Sequence, residues 1–194
     1  MAATGPRYSY FAAVTEADVD RFVVSTDMKV GTYTVANSGT MPTTGARHVT
    51  VTNVVAQTAD TMGTVVVAGT NLDGEAISES FVPVADDIVT GSEWFVTVTS
   101  VTGAGWVNNT GTPDPDAITV GCTAAACVHE GDGVFNGVVV GETAAGAITL
   151  ADSSGTVAVL KASIVEGAYG FGVQFDDYPT VTVAAASKLT VSSS

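Results

Sequence analysis

Val65-Val66-Val67-Ala68-Gly69-Thr70-Asn71-Leu72-Asp73-Gly74-Glu75-Ala76-Ile77-Ser78-Glu79-Ser80-Phe81 reads as two strands joined by a tight turn. Asp73-Gly74 supplies the positive φ that a hairpin of this length needs. In the outgoing strand Ile77 and Phe81 share a face with Glu75 and Glu79, so the pattern leaves open which side is buried. The same period of two recurs in Arg47-His48-Val49-Thr50-Val51-Thr52-Asn53-Val54, in Phe95-Val96-Thr97-Val98-Thr99-Ser100-Val101 and in Thr180-Val181-Thr182-Val183. Alternation places the β-branched apolar side chains on one face of a pleated strand and the hydroxyls on the other. Half-buried antiparallel strands follow.

Around the hairpin, strands are expected over 47–55, 64–70, 75–84, 93–101 and 117–120, and a second set over 134–140, 147–150, 156–164, 169–175 and 180–191. Glycines punctuate the second set at short intervals. The expected fold is all-β: two antiparallel β-sandwich (jelly-roll-like) lobes with a short N-terminal arm. Residues 1–29 read as the arm, 30–121 as the first sandwich domain, 122–133 as a linker and 134–194 as a second, small sandwich. The two lobes are not sequence repeats of each other. Thr15-Glu16-Ala17-Asp18 resembles a weak capping box, so a turn or two of helix is expected to run into Val19–Val24.

Of 194 residues, 46% are hydrophobic and only 13% charged, about half the usual charged share. Val and Thr supply roughly a third of all positions. The 6 basic and 20 acidic residues give a net charge of −14. Phosphate binding depends on Lys and Arg displacing counterions, so nucleic acid is not an expected partner. Anionic membranes are disfavoured for the same reason, and no apolar run is long enough to span a bilayer. The first residues lack the apolar core of a signal peptide, so synthesis in the cytoplasm is expected.

The reactive inventory is thin. His48 lies in an alternating strand and reads as a surface or packing residue. Cys122, Cys127 and His129 form Cys-x4-Cys-x-His, which needs a fourth ligand such as Glu130 or Asp132 to hold zinc. Two reduced buried cysteines fit better, with a strand-linking disulfide as the alternative. Asn71-x-Asp73-x-Glu75 has alternate oxygen ligands but lacks the rest of a calcium loop. Asp86-Asp87, Asp114-x-Asp116 and Asp176-Asp177 are acidic pairs in turns. No catalytic residue, metal or cofactor is expected, so the chain reads as a non-enzyme. Four aromatics are the candidate partner-binding residues: Tyr8, Tyr10 and Phe11 in the arm, and Trp106 in the loop Gly103-Ala104-Gly105-Trp106. Trp94-Phe95 opens a strand.

The segment Gly63–Glu79, with its Val-x-Gly-Thr-x-x-x-Gly-x-x-Ile-x-Glu pattern leading into Glu93–Val101, resembles a hairpin common among tailed-bacteriophage virion proteins. The stretch from Gly133 through Gly146–Asp152 to Thr180–Val183 is similar to the small β-sandwich of phage head-fibre and decoration (cement) proteins. The arm and the 122–127 segment are not covered. The resemblance implies a structural protein on the capsid exterior, bound to the major capsid protein and stabilising the shell as a homotrimer. The alternatives are another virion part (neck, tail or fibre) or a carbohydrate-binding adhesion module.

Overall fold

A computed structural model describes residues 6–11, 17–54, 61–107, 116–142, 146–185 and 188–194. Among these residues sixteen strands carry the fold, and the helical content is one 3-10 turn at Asn37–Gly39. The chain divides into two compact units: Ala17–Met41 with Arg47–Thr123, and Met1–Glu16 with Pro42–Ala46 and Ala124–Ser194.

Strand β1 (Arg7–Phe11) belongs to the second of these. The other unit consists of β2 (Asp18–Asp27), β3 (Thr32–Tyr33), β4 (Arg47–Val54), β5 (Thr64–Thr70), β6 (Ala76–Phe81), β7 (Ile88–Phe95), β8 (Thr97–Ala104) and β9 (Ala117–Cys122). One sheet runs β2-β9-β4-β7 and its mate β3-β8-β5-β6, antiparallel throughout. The alternating residues do what a period of two demands. Val49 and Val51 of one sheet and Val65 and Val67 of the other share a core with Phe22, Phe95, Val101, Ile118 and Val120.

The hairpin forms with Asn71 as its organiser. The Asn71 Oδ1 accepts from the backbone N–H of Asp73 and of Glu75, and Gly74 takes a φ of 79°. The open question about its second strand resolves as a shared burial. Phe81 is buried, while Glu79 accepts hydrogen bonds from Ser92 N, Ser92 Oγ and Glu93 N. The expected strand 93–101 is two strands in different sheets, changing sheet at Val96, whose N–H donates to the Thr70 carbonyl at 2.7 Å. A Cβ on Gly69 would lie 1.8 Å from the Thr97 carbonyl oxygen, so only glycine fits at that crossing.

The second unit adds to β1 the strands β10 (Ala126–Cys127), β11 (Gly133–Glu142), β12 (Ile148–Asp152), β13 (Gly155–Leu160), β14 (Gly167–Phe175), β15 (Thr180–Val183) and β16 (Lys188–Ser193). Its sheets run β1-β16-β11-β14 and β10-β15-β12-β13. Phe11, Phe135, Val138, Ile148, Leu150, Val181 and Leu189 are among the residues of its core. If the strands of each unit are numbered from one to eight, both units have sheets 1-8-3-6 and 2-7-4-5. That is the jelly-roll order. One complete jelly roll is therefore inserted in the chain between the first and second strands of another, a relation that the dissimilar sequences of the two units conceal.

Three expectations change. The arm is instead one strand for each unit: β1 pairs with β16, and β2 pairs with β9. The helix is absent from its described part, since Val19, Val23 and Val24 suit a strand and pairing with β9 buries Phe22 and Val23. Thr15 and Glu16 lie outside the described residues. Finally, the linker 122–133 contains the last residue of β9 and all of β10. Ala46 and Cys127 there exchange backbone hydrogen bonds of 2.9 and 2.7 Å.

Candidate functional site

The outer face of sheet β1-β16-β11-β14 brings two of the four candidate aromatics together. Along β1 the side chains alternate, so Ser9 and Phe11 are buried while Tyr8 is 71% and Tyr10 50% exposed. Pairing registers then define two rows across the sheet. Tyr8, Ser192, Gly137 and Gly170 form one row, and Tyr10, Thr190, Val139 and Ala168 the other. Between Tyr8 and β14 lies a shallow groove of about 220 Å³, floored by Gly137, Gly170 and Ala168 and bordered by Val139, Thr190 and Ser192.

This face carries little charge. Lys188 Nζ and Glu142 Oε2 lie 2.9 Å apart at one end of β16 and β11, and that contact holds the Lys188 ammonium above its ordinary pKa. Next to Gly170 on the same side of β14, Gly172 also lacks a side chain, while Tyr169 and Phe171 point the other way into the core. A Cβ at Gly170 or at Gly172 would meet nothing within 4 Å, and neither residue has a positive φ.

The other two candidates are not on this face. Phe11 is fully buried in its unit's core, because alternation turns it away from Tyr8 and Tyr10. Trp106 belongs to the other unit and packs against that unit's core. Its indole nitrogen lies beside the Tyr33 hydroxyl, which itself donates to the Met28 carbonyl. Burial pushes the Tyr33 hydroxyl up to about 12. Gly63 lets the indole lie against backbone, since a Cβ there would fall 2.8 Å from the ring.

The remaining sequence candidates serve the fold. His48 and Trp94 are cross-strand partners on β4 and β7 with ring centroids 3.6 Å apart, and burial lowers the His48 pKa. Cys122 and Cys127 are free and buried in separate units, so the disulfide alternative does not hold. The Cys127 thiol donates to the His129 carbonyl, and burial raises it to about 12. Among the described residues no group of three or more His, Cys, Asp or Glu is placed to hold a metal ion.

Two turn carboxylates, Asp152 and Asp87, spend their oxygens on backbone. Asp152 accepts from the N–H groups of Asp176, Ser154 and Gly155, and the Asp176 contact leads in holding its carboxyl below the ordinary range. Asp86 and Asp87 occupy the turn before β7, where the Asp87 carboxylate accepts from the Ile88 N–H. Asp114 lies outside the described residues, and Asp116 is buried.

One buried ionisable group had no sequence signal beyond its identity. Arg47 is fully buried on β4, donates to the Thr123 carbonyl at 2.8 Å and lies beside the Cys122 thiol. Burial lowers the arginine's pKa and raises that of the cysteine. No family model, curated protein or solved structure matches the chain.

Proposed function

We propose that this chain is a non-enzymatic structural protein of a tailed-phage virion. In this role it decorates the outside of the capsid as an oligomer, contacts the major capsid protein and stabilises the shell. The observation that carries the reading is the outer face of β1-β16-β11-β14, an apolar surface with two exposed tyrosines on a chain of charge −14. Surfaces of this kind favour protein contacts over polyanions. Jelly rolls recur in viral capsid domains, and two of them stand on this chain. Many copies on one lattice would gain strength by multivalency even where each contact is weak.

Co-sedimentation with purified expanded capsids tests the proposal. Saturable binding at hundreds of copies per shell is the expected result, and a chain left in the supernatant at saturating concentration refutes it. A dozen copies or fewer would instead assign the chain to the neck or tail. A second reading rests on the same groove: jelly rolls also build lectins, and Tyr8 could stack on a sugar ring. Binding to a neutral glycan that Tyr8→Ala abolishes, without capsid binding, would select that reading.

A further inference from the structure

We propose that the outer face of β1-β16-β11-β14 packs against the same face of a second copy, with a two-fold axis parallel to the strands. The first ground is the pair of glycines on β14. Glycine inside a strand weakens it, and it persists where a turn, a bulge or a close approach requires it. Between Gly170 and Val173 the register with β11 shifts by one residue, a bulge that suits glycine, and the space above Gly170 and Gly172 is open. The bulge leaves a hollow of bare backbone on this face.

The second ground is the match between that hollow and the tyrosines on the opposite edge of the same face. The face has its projections on one edge strand and its hollow on the other: Tyr8 and Tyr10 stand on β1, and Gly170 and Ala168 lie on β14 in the same two rows. A two-fold axis running between β16 and β11 keeps each row and exchanges the edges. Tyr8 of one copy then enters the hollow over Gly170 of the other, Tyr10 meets Ala168, and each contact occurs twice. An isologous contact requires this kind of self-complementarity.

Charge supplies a third ground. Glu142 and Lys188 share a row on the two strands flanking the axis, so Glu142 of each copy comes to face Lys188 of the other. The ion pair within each copy becomes a four-charge cluster of alternating sign, and two molecules of charge −14 meet where neither presents excess negative charge. Four strands about 4.8 Å apart, of five, six, ten and nine residues rising about 3.3 Å each, give a face of roughly 19 by 25 Å. The two copies together then bury on the order of 950 Å², the size of a weak or transient contact.

This contact makes dimers, or joins neighbouring copies in pairs, and differs from the three-fold assembly implied by the phage resemblance. Sedimentation equilibrium of the full chain over about 1–500 µM tests it across the range of a weak contact. The expected result is a reversible monomer–dimer equilibrium. Gly170→Val, which the structure accommodates, and Tyr8→Ala should each raise the dissociation constant at least about tenfold while far-UV circular dichroism stays unchanged. Glu142→Lys should weaken the dimer, and Glu142→Lys combined with Lys188→Glu should restore it. A wild-type chain that is monomeric throughout overturns the proposal, as does an oligomer that Gly170→Val leaves intact. Capsid co-sedimentation is scored separately. A chain that binds shells without dimerising refutes only the self-contact, and a dimer that ignores shells refutes only the capsid reading.

Discussion

At the scale of single residues, neighbours on one strand lead separate lives. Tyr8 and Phe11 lie three positions apart, yet one stands in solvent and the other is fully enclosed. Replacing Phe11 with alanine should destabilise its unit by about 3–5 kcal/mol, whereas Tyr8→Ala should stay within about 0.5 kcal/mol in the monomer. Urea denaturation at low protein concentration measures both. His48 contributes a pH dependence whose sign follows from its burial. Its folded pKa lies below the ordinary 6.5, so the unfolded chain binds the extra proton and stability falls as pH drops through and below 6.5. His48→Phe should flatten that part of the stability–pH curve, as read by thermal unfolding at a series of pH values. The two cysteines are easily misjudged from spacing alone. They lie five positions apart but belong to separate units, so Cys122-x4-Cys127 is no more than a coincidence along the chain.

At the scale of elements, register and edge geometry decide more than propensity does. The run from Phe95 to Val101 reads as one strand, yet it bends at Val96 and passes from one sheet to the other. Periodicity cannot report such a bend: Phe95, Val98 and Val101 are the buried residues, so the inward parity changes at the crossing and again at the register shift opposite Ala68–Gly69. Glu79 is the tie at the opposite crossing, binding two backbone N–H groups and a hydroxyl of β7 through one carboxylate. Its removal leaves Ser92 and Glu93 without that acceptor. Glu79→Ala should cost about 1–3 kcal/mol, while Glu75→Ala in the turn should be nearly neutral. Chemical denaturation of the two variants side by side checks the difference. The same carboxylate explains why the second hairpin strand looked ambiguous: Glu79 points inward with Ile77 and Phe81 and still finds polar partners.

At the scale of the whole molecule, the chain is two jelly rolls nested in sequence. The unit that begins and ends the chain draws its first strand from residues 7–11 and all its other strands from residues beyond Ala124. Deleting residues 1–11 therefore removes an edge strand and Phe11 from one core and leaves the other core complete. Calorimetry should show one unfolding transition lowered or lost and a second one unmoved. If both transitions shift equally, the two units do not unfold separately. The nesting also explains why a linear division of the chain at 30, 122 and 134 misses the true partition. Strand order within a sheet is a long-range property, and no composition shift marks where one unit's strand ends and the other's begins.

The sequence by itself determined the class of fold and the faces of most strands, because a period of two, β-branched residues and an Asp-Gly turn are local signals read from neighbours along the chain. It also determined the charge and the small number of His and Cys residues. Only the tertiary structure decided which strands pair, that Tyr8 and Gly170 share a row while Phe11 and Trp106 lie elsewhere, and that Arg47 is buried beside Cys122. Each of these depends on contacts between residues tens of positions apart. Local alternation constrains which way a side chain faces, and it carries no information about the strand lying alongside.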